Sequence, residues 1–160
     1  MKPEEKVISY FKEKGLWLAS AESCTGGLIS KRITDISGAS AIFGYGLCTY
    51  ANEAKVKLLS VSEDTLKAFG AVSKQTAYEM AEGLLKLSGA DVVVCTTGMA
   101  SPGGAPTDKP VGMVFVGIGS KNGIRVTELS LGHLGGRDEI RNATADYALT
   151  EALEEATRLI

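Results

Sequence analysis

Short apolar runs alternate with stretches whose apolar positions repeat at helical spacing. After Pro3, the stretch "PEEKVISYFKEKG" places apolar residues on one helical face, and Gly15 is positioned to end that helix. Three apolar runs are typical of strands, namely "LWLASA" (residues 16–21), "AIFGYGLCTY" (41–50) and "DVVVCTT" (91–97). The last run is apolar almost throughout, which indicates a central strand covered on both faces.

Polar capping residues mark helices between these strands. A helix is predicted to begin at Thr25 or Gly26, immediately after the first strand. Asn52, Ser62 and Ser73 are each predicted to cap a further helix, because their side-chain oxygens can accept a hydrogen bond from a free backbone amide. The helix after Ser73 is the longest of the three.

The fold class follows from the order of these elements. Asn122-Gly123 lies between two apolar segments and predicts a hairpin, and a final helix is predicted over residues 137–159. The resulting order is α-β-α-β-α-α-α-β-β-β-α. Helix-linked strands favour parallel pairing, whereas the hairpin requires an antiparallel pair. We therefore predict one α/β domain over residues 1–160, a three-layer α/β/α sandwich with a mixed, mostly parallel sheet.

Composition excludes several classes of function. The formal net charge of −2 argues against a general nucleic-acid binder. One histidine and three scattered cysteines argue against a metal centre and against a disulfide framework. The chain opens without a signal-peptide core, and no apolar run reaches the length of a membrane span. We expect a cytoplasmic protein with reduced thiols, no membrane contact and no cofactor.

The stretch "ESCTGG" carries the first candidate chemistry. Ser23 directly precedes a predicted helix start at which backbone amides of Thr25, Gly26 and Gly27 could meet an anion or an oxyanion. The alternative is that Glu22, Ser23 and Thr25 only cap the helix, and spacing alone does not decide between the two. The adjacent Cys24 is expected to be a packing residue.

The stretch "YANEAK" supplies a candidate base. If Asn52 caps the helix, Lys55 lies in its first turn, where the helix dipole and partial burial would lower the lysine pKa. A partly neutral lysine can take a proton from a serine hydroxyl. A solvated surface lysine is the alternative, and only pairing with Ser23 would favour catalysis.

Two arginines and a strand end supply candidate binding groups. Arg137 and Arg141 lie four residues apart at the start of the last helix, a spacing that favours a phosphate or carboxylate clamp. The alternative is that Asp138 and Glu139 offset them on the surface. The hydroxyls of Thr96 and Thr97, at the end of the central strand, either bind a ligand or cap that strand, and Thr97-Gly98 then enters the long loop. His133, the only histidine, is expected to be an ordinary loop residue.

Six blocks occur in the order seen in one family: "AESCTGG", "TYANEAK", "GAVS", "TTGMASPGG", "KPVG" and "GGRDEIR". Across residues 6–159 the chain resembles the CinA C-terminal domain family, which includes nicotinamide mononucleotide amidohydrolases. The resemblance implies an α/β/α fold, dimers, and hydrolysis of nicotinamide mononucleotide to nicotinic acid mononucleotide and ammonia. It implies a Ser23–Lys55 pair as nucleophile and base, with Tyr50 beside them. The implied substrate-binding residues are Thr25, Gly26, Gly27, Thr97, Gly98, Arg137 and Arg141.

The chain departs from the family pattern at two positions. The family usually reads "TGIAGP" where this chain reads "TGMASP", with Ser101 in place of a glycine. It usually reads "GDR" where this chain has Gly136 in place of an acid. A different class of function is therefore kept as the alternative, a nucleotide-binding or protein-interaction module with a lapsed catalytic site. Only the enzyme requires Ser23 and Lys55 to lie close together.

Overall fold

The computed structural model describes residues 1–101 and 108–160, and within these ranges the predicted order of helices and strands is confirmed. Two single-turn 3-10 helices, Ala39–Ala41 and Gly132–Leu134, are added to that order. The helices are α1 (Pro3–Lys14), α2 (Leu28–Thr34), α3 (Asn52–Leu59), α4 (Glu63–Phe69), α5 (Lys74–Ser88) and α6 (Arg137–Thr157). The strands are β1 (Leu18–Glu22), β2 (Phe43–Cys48), β3 (Val92–Gly98), β4 (Met113–Ser120) and β5 (Gly123–Ser130).

The sheet has the strand order β2-β1-β3-β4-β5. The β1–β2 and β1–β3 pairs are parallel, and the β3–β4 and β4–β5 pairs are antiparallel, so β4 alone runs against the others. The predicted mixed, mostly parallel sheet is confirmed. The hairpin at Asn122-Gly123 is also confirmed, because Ser120 pairs with Gly123, whose φ of +108° suits glycine.

Helices cover both faces of the sheet and make the three predicted layers. Helices α1, α2 and α6 pack on one face, and α3, α4 and α5 pack on the other. Residues of β3 alternate between the two cores, with Val92 and Val94 in the first and Val93 and Cys95 in the second. The central strand is therefore buried on both sides, as its apolar run predicts.

Helix α3 is held against α5 by an unusually close backbone approach. Gly83, within α5, faces the last turn of α3, where a Cβ on Gly83 would collide with the backbone of Leu59. The absence of a side chain at this position lets the two helices meet. Because α3 also carries Lys55, this contact helps to place the candidate base at the carboxyl edge of the sheet.

Two predicted helix starts are wrong. Helix α2 begins at Leu28, not at Thr25 or Gly26, because Gly26 and Gly27 adopt left-handed φ values of +58° and +101° and form a turn. Asn52 is the first residue of α3, and no side-chain bond caps that helix.

The other two predicted caps are confirmed, because the Ser62 hydroxyl accepts from the amide of Asp64 and the Ser73 hydroxyl accepts from the amide of Thr76. The long loop predicted after the central strand falls partly on residues 102–107, outside the described residues. Among the helices of the described chain, none is both long and apolar enough to cross a membrane.

Candidate active site

Ser23 and Lys55 meet at the carboxyl edge of the parallel strands. Ser23 directly follows β1, and Lys55 lies in α3, which begins four residues after β2 ends. The Lys55 Nζ lies 3.0 Å from the Ser23 Oγ, and Lys55 is fully buried while Ser23 is 9% exposed. The pairing that separates a catalytic lysine from a surface lysine is therefore present.

Two backbone carbonyls fix the Lys55 amine. Its Nζ donates to the carbonyl oxygen of Thr49 at 2.8 Å and to that of Tyr50 at 3.2 Å. A neutral amine has two N–H donors and one lone pair. If the two carbonyls take both donors, the lone pair is left facing the Ser23 hydroxyl proton. The arrangement thus suits a neutral lysine acting as a base.

Burial lowers the pKa of Lys55 to about 8, because the charged form loses its hydration in the protein interior. The predicted lowering is confirmed, and burial is its main cause. No carboxylate forms an ion pair with Lys55 among residues 1–101 and 108–160. The amine therefore has a substantial neutral fraction near pH 8.

Glu22 anchors the turn that presents Ser23. Its fully buried carboxylate accepts from the Thr25 hydroxyl at 2.6 Å, from the amide of Ile29 at 2.8 Å, and from both the amide and the hydroxyl of Ser30 at 3.1 Å. The protein's own carboxylate thus occupies the amino end of α2. The predicted capping role of Glu22 is confirmed. Binding of an anion or oxyanion by the amides of Thr25, Gly26 and Gly27 stays a prediction.

Backbone amides beside Ser23 differ in availability. The Gly26 amide donates to the Ser23 carbonyl oxygen at 3.0 Å and is committed within the turn. The amides of Cys24, Thr25 and Gly27 donate to no group within residues 1–101 and 108–160. Those of Cys24 and Thr25 follow Ser23 directly, which is where donors for an oxyanion are needed.

The Glu22 network yields a stability prediction. Glu22→Gln replaces one carboxylate oxygen by an NH₂ group that faces existing donors, so the free energy of unfolding should fall by about 3 kcal/mol. Urea unfolding followed by circular dichroism measures this. Ser20→Ala is the matched control, since among residues 1–101 and 108–160 its buried hydroxyl forms a hydrogen bond only with Ser30 of the same network, and its loss should cost about 1 kcal/mol. Equal stability of Glu22→Gln and the wild type would contradict the role assigned to the carboxylate.

The two threonines that end the central strand face opposite sides of the sheet. The buried Thr96 hydroxyl lies 2.8 Å from the Thr25 hydroxyl and 3.4 Å from the Ser23 amide. The Thr97 hydroxyl instead donates to the Ala71 carbonyl at 2.7 Å, away from Ser23. Of the two candidate threonines, the structure therefore brings Thr96, and not Thr97, into contact with the Ser23 turn.

Gly98 has a packing role in the structure. A Cβ at this position would lie 2.7 Å from Val114 Cγ2 and 2.8 Å from the Met113 carbonyl oxygen. Glycine therefore allows the ends of β3 and β4 to approach each other. The predicted contact between Gly98 and a ligand stays a prediction.

The two arginines do different things. Arg141 donates to the carbonyl oxygens of Cys24 and Thr25, at 3.2 and 2.7 Å, and so stabilises the turn that contains Ser23. Arg137 is exposed and donates to the Ser101 hydroxyl at 2.8 Å and to the Tyr50 phenol at 3.2 Å. The two arginines of the predicted clamp thus have different contacts: Arg141 binds the Ser23 turn, and Arg137 lies at the surface.

Gly136, where the resembled family carries an acid, lies beside another carboxylate. A Cβ at Gly136 would collide with the Glu139 side chain. Glu139 therefore fills the space next to Gly136, close to the start of α6. An acidic group stands at this point of the fold despite the departure in sequence.

The Cys24 thiol and the His133 side chain are the remaining candidate groups. Cys24 is buried, and burial raises the pKa of its thiol to about 11, so the prediction that it is a packing residue is confirmed. His133 lies exposed in a 3-10 turn. Among the described residues, no group of three or more histidine, cysteine, aspartate or glutamate side chains could hold a metal ion.

The sequence model of the CinA C-terminal domain matches residues 1–156. The chain belongs to the CinA C-terminal domain family. It is 50% identical over 150 residues to the nicotinamide-nucleotide amidohydrolase PncC of Enterobacter agglomerans, covering 94% of this chain and 91% of that protein. It is 45% identical over 146 residues to a CinA-like protein of Kosmotoga olearia, covering 91% of this chain but 35% of that protein. The chain thus spans about a third of the length of several curated relatives.

Solved structures of CinA proteins share the fold closely. The competence/damage inducible protein of Agrobacterium tumefaciens superposes with a TM-score of 0.88 at 45% identity, covering 95% of both chains. A competence damage-inducible protein of Klebsiella pneumoniae superposes with a TM-score of 0.90 at 28% identity, covering 98% of both chains. The predicted membership of the CinA family and its α/β/α fold are confirmed.

Proposed function

We propose that this chain hydrolyses the carboxamide of nicotinamide mononucleotide, giving nicotinic acid mononucleotide and ammonia. The observation that carries the proposal is the 3.0 Å contact between the Ser23 Oγ and the buried Lys55 Nζ. A binding module with a lapsed site has no need of a buried amine aligned on a serine hydroxyl. The 50% identity to a nicotinamide-nucleotide amidohydrolase supplies the class of substrate.

In the acylation step, the neutral Lys55 amine takes the Ser23 proton as Oγ attacks the carboxamide carbon. The carbonyl oxygen becomes an oxyanion, and we propose that the amides of Cys24 and Thr25 donate to it, since they follow Ser23 and donate to no other group in the described residues. The Lys55 ammonium then gives its proton to the amide nitrogen. The C–N bond breaks, ammonia leaves, and the acyl group stays on Ser23.

In the deacylation step, neutral Lys55 takes a proton from a water molecule, which attacks the acyl carbon. The ester bond to Ser23 breaks, and Lys55 returns the proton to the Oγ. One water is consumed and one acid is formed, so the enzyme is regenerated. Both steps use one base, which the carbonyls of Thr49 and Tyr50 hold in a fixed position throughout.

The other site residues serve these steps indirectly. The Tyr50 carbonyl accepts from Lys55, and its phenol accepts from Arg137. We propose that the phenol also contacts the substrate. Thr25 and Thr96 support the turn through buried hydroxyls, and Arg141 braces it. A cytoplasmic location and assembly into dimers stay predictions that rest on the family resemblance.

Release of ammonia from nicotinamide mononucleotide by the purified chain tests the proposal. A coupled ammonia assay is run with Ser23→Ala as the matched blank and with free nicotinamide as a substrate control. Release from the mononucleotide by the wild type alone supports the proposal. If the wild type binds the mononucleotide but releases no ammonia, the lapsed-site alternative is the correct one.

The pH profile tests the role of Lys55. Since the pKa of Lys55 is about 8 and its neutral form is the base, kcat/KM should rise as pH increases through about 8 and then level off. Below that pKa the amine is protonated and cannot accept the Ser23 proton. Initial rates across a series of buffers at constant ionic strength give the profile. A kcat/KM that stays constant or falls between about pH 6.5 and 9 would contradict a lysine base.

A further inference from the structure

Polar groups from three parts of the fold come together around Arg137. Arg137, the first residue of α6, donates from Nη1 to the Ser101 Oγ at 2.8 Å and from Nη2 to the Tyr50 phenol at 3.2 Å. Ser101 follows the end of β3 and Tyr50 follows the end of β2. Tyr50 connects this cluster to the reaction centre, because its carbonyl oxygen lies 3.2 Å from the Lys55 Nζ.

The hydrogen-bonding capacity of the cluster consists of donors. A guanidinium has five N–H groups and no acceptor, so both hydroxyls accept from Arg137 through a lone pair. Within residues 1–101 and 108–160, the two hydroxyl protons and three N–H groups of Arg137 then remain available for a further acceptor. Arg137 forms no ion pair with a carboxylate within residues 1–101 and 108–160. One positive charge with several convergent donors suits a phosphate group with its terminal oxygens.

The second arginine is not equivalent. Both guanidinium groups donate two hydrogen bonds, but Arg141 is half-buried and its bonds go to two backbone carbonyl oxygens of the Ser23 turn. Arg137 is exposed, and the Ser101 hydroxyl accepts one of its two bonds. Arg137 is therefore the more accessible of these two arginines to a ligand. A glycine at position 101, as the resembled family usually carries, would leave one side of that guanidinium without its contact.

We infer that Ser101 is a specificity-determining residue that binds the substrate phosphate together with Arg137 and Tyr50. The inference rests on the proposed function, since it assigns the residues that bind the phosphate of the same substrate. It predicts that the chain distinguishes a mononucleotide from its nucleoside through a hydroxyl that this chain carries in place of a glycine. Ser101 contributes to the recognition of phosphate and not to the reaction at the carboxamide.

The test compares two ligands that differ only in the phosphate. Binding of nicotinamide mononucleotide and of nicotinamide riboside is measured by calorimetry in a Ser23→Ala background, where turnover does not intervene. Adding Ser101→Ala should weaken mononucleotide binding about tenfold, the loss expected for one hydrogen bond to a charged group. Riboside binding should be unchanged. Ser101→Thr, which keeps the hydroxyl, should recover most of the loss.

Matched variants and kinetics separate this role from a structural one. Ser40→Ala removes an exposed serine hydroxyl that makes no hydrogen bond in the described part of the chain, and it should leave both affinities unchanged. In the active enzyme, Ser101→Ala should raise KM for the mononucleotide more than it lowers kcat. Equal weakening of both ligands, or unchanged mononucleotide binding, would overturn the inference.

The inference and the proposed function fail in different ways. If the wild type releases no ammonia, yet Ser101→Ala still weakens only mononucleotide binding, the phosphate site stands and the amidase proposal falls. If ammonia is released but Ser101→Ala binds both ligands like its parent, the amidase stands and the assignment of Ser101 falls. The two readouts are therefore independent.

Discussion

Ser23→Ala and Lys55→Met should each lower kcat for ammonia release on the order of a thousandfold or more. Ser23→Ala removes the nucleophile. Lys55→Met keeps a long unbranched side chain in a fully buried position but removes the base that lies 3.0 Å from the Ser23 Oγ. Steady-state ammonia release measures both variants. The double variant should be little slower than either single variant, because the two residues act as one unit.

Neighbouring substitutions give this prediction its controls. Cys24→Ala changes the residue beside the nucleophile and should keep most of the activity, since burial raises the pKa of that thiol to about 11. Circular dichroism and thermal unfolding establish that each variant is folded. Substantial turnover in folded Ser23→Ala, or loss of activity in Cys24→Ala with Ser23→Ala active, would show that another group attacks the carboxamide.

Gly83→Ala should lower the free energy of unfolding by about 3 kcal/mol. Glycine within a helix is usually worse than alanine by about 1 kcal/mol, so the expected sign is the reverse of the usual one. The reason is that an added Cβ would collide with the Leu59 backbone and push α3 away from α5. Since α3 carries Lys55, kcat should fall as well. Urea unfolding and ammonia release measure the two effects.

The adjacent helix position supplies the comparison. Glu82 is exposed in the same helix, so Glu82→Ala should change stability by less than about 0.5 kcal/mol. A Gly83→Ala chain that is as stable and as active as the wild type would mean that the two helices can separate without cost. That outcome would contradict the conclusion that the close contact between Gly83 and the Leu59 backbone positions α3.

Local sequence patterns predicted most of the helices and strands. The hairpin at Asn122-Gly123 and the stop at Gly15 depend on interactions between residues near one another in the chain. The strand β3 pairs with distant strands, but its continuous apolar run is a local pattern that predicts burial on both faces. The start of α2 did not follow from the same kind of signal. Two consecutive glycines are compatible both with a helix start and with a left-handed turn. The structure has the left-handed turn, and the Glu22 carboxylate binds the amides of Ile29 and Ser30 that follow it.

The sequence by itself determined the order of the elements, the mixed sheet, the family and the identity of Ser23 and Lys55 as candidates. Their pairing across 32 residues of chain was decided only by the tertiary structure, which brings the ends of β1 and β2 to one edge. Only the tertiary structure decided which of the two candidate threonines, Thr96 or Thr97, contacts the Ser23 turn. Only the tertiary structure likewise showed that Arg141 binds that turn and that Arg137 binds Tyr50. Adjacent strand residues point to opposite faces, and helix arginines reach in several directions. Which of them meets the serine therefore depends on how the layers pack, and no local pattern encodes that.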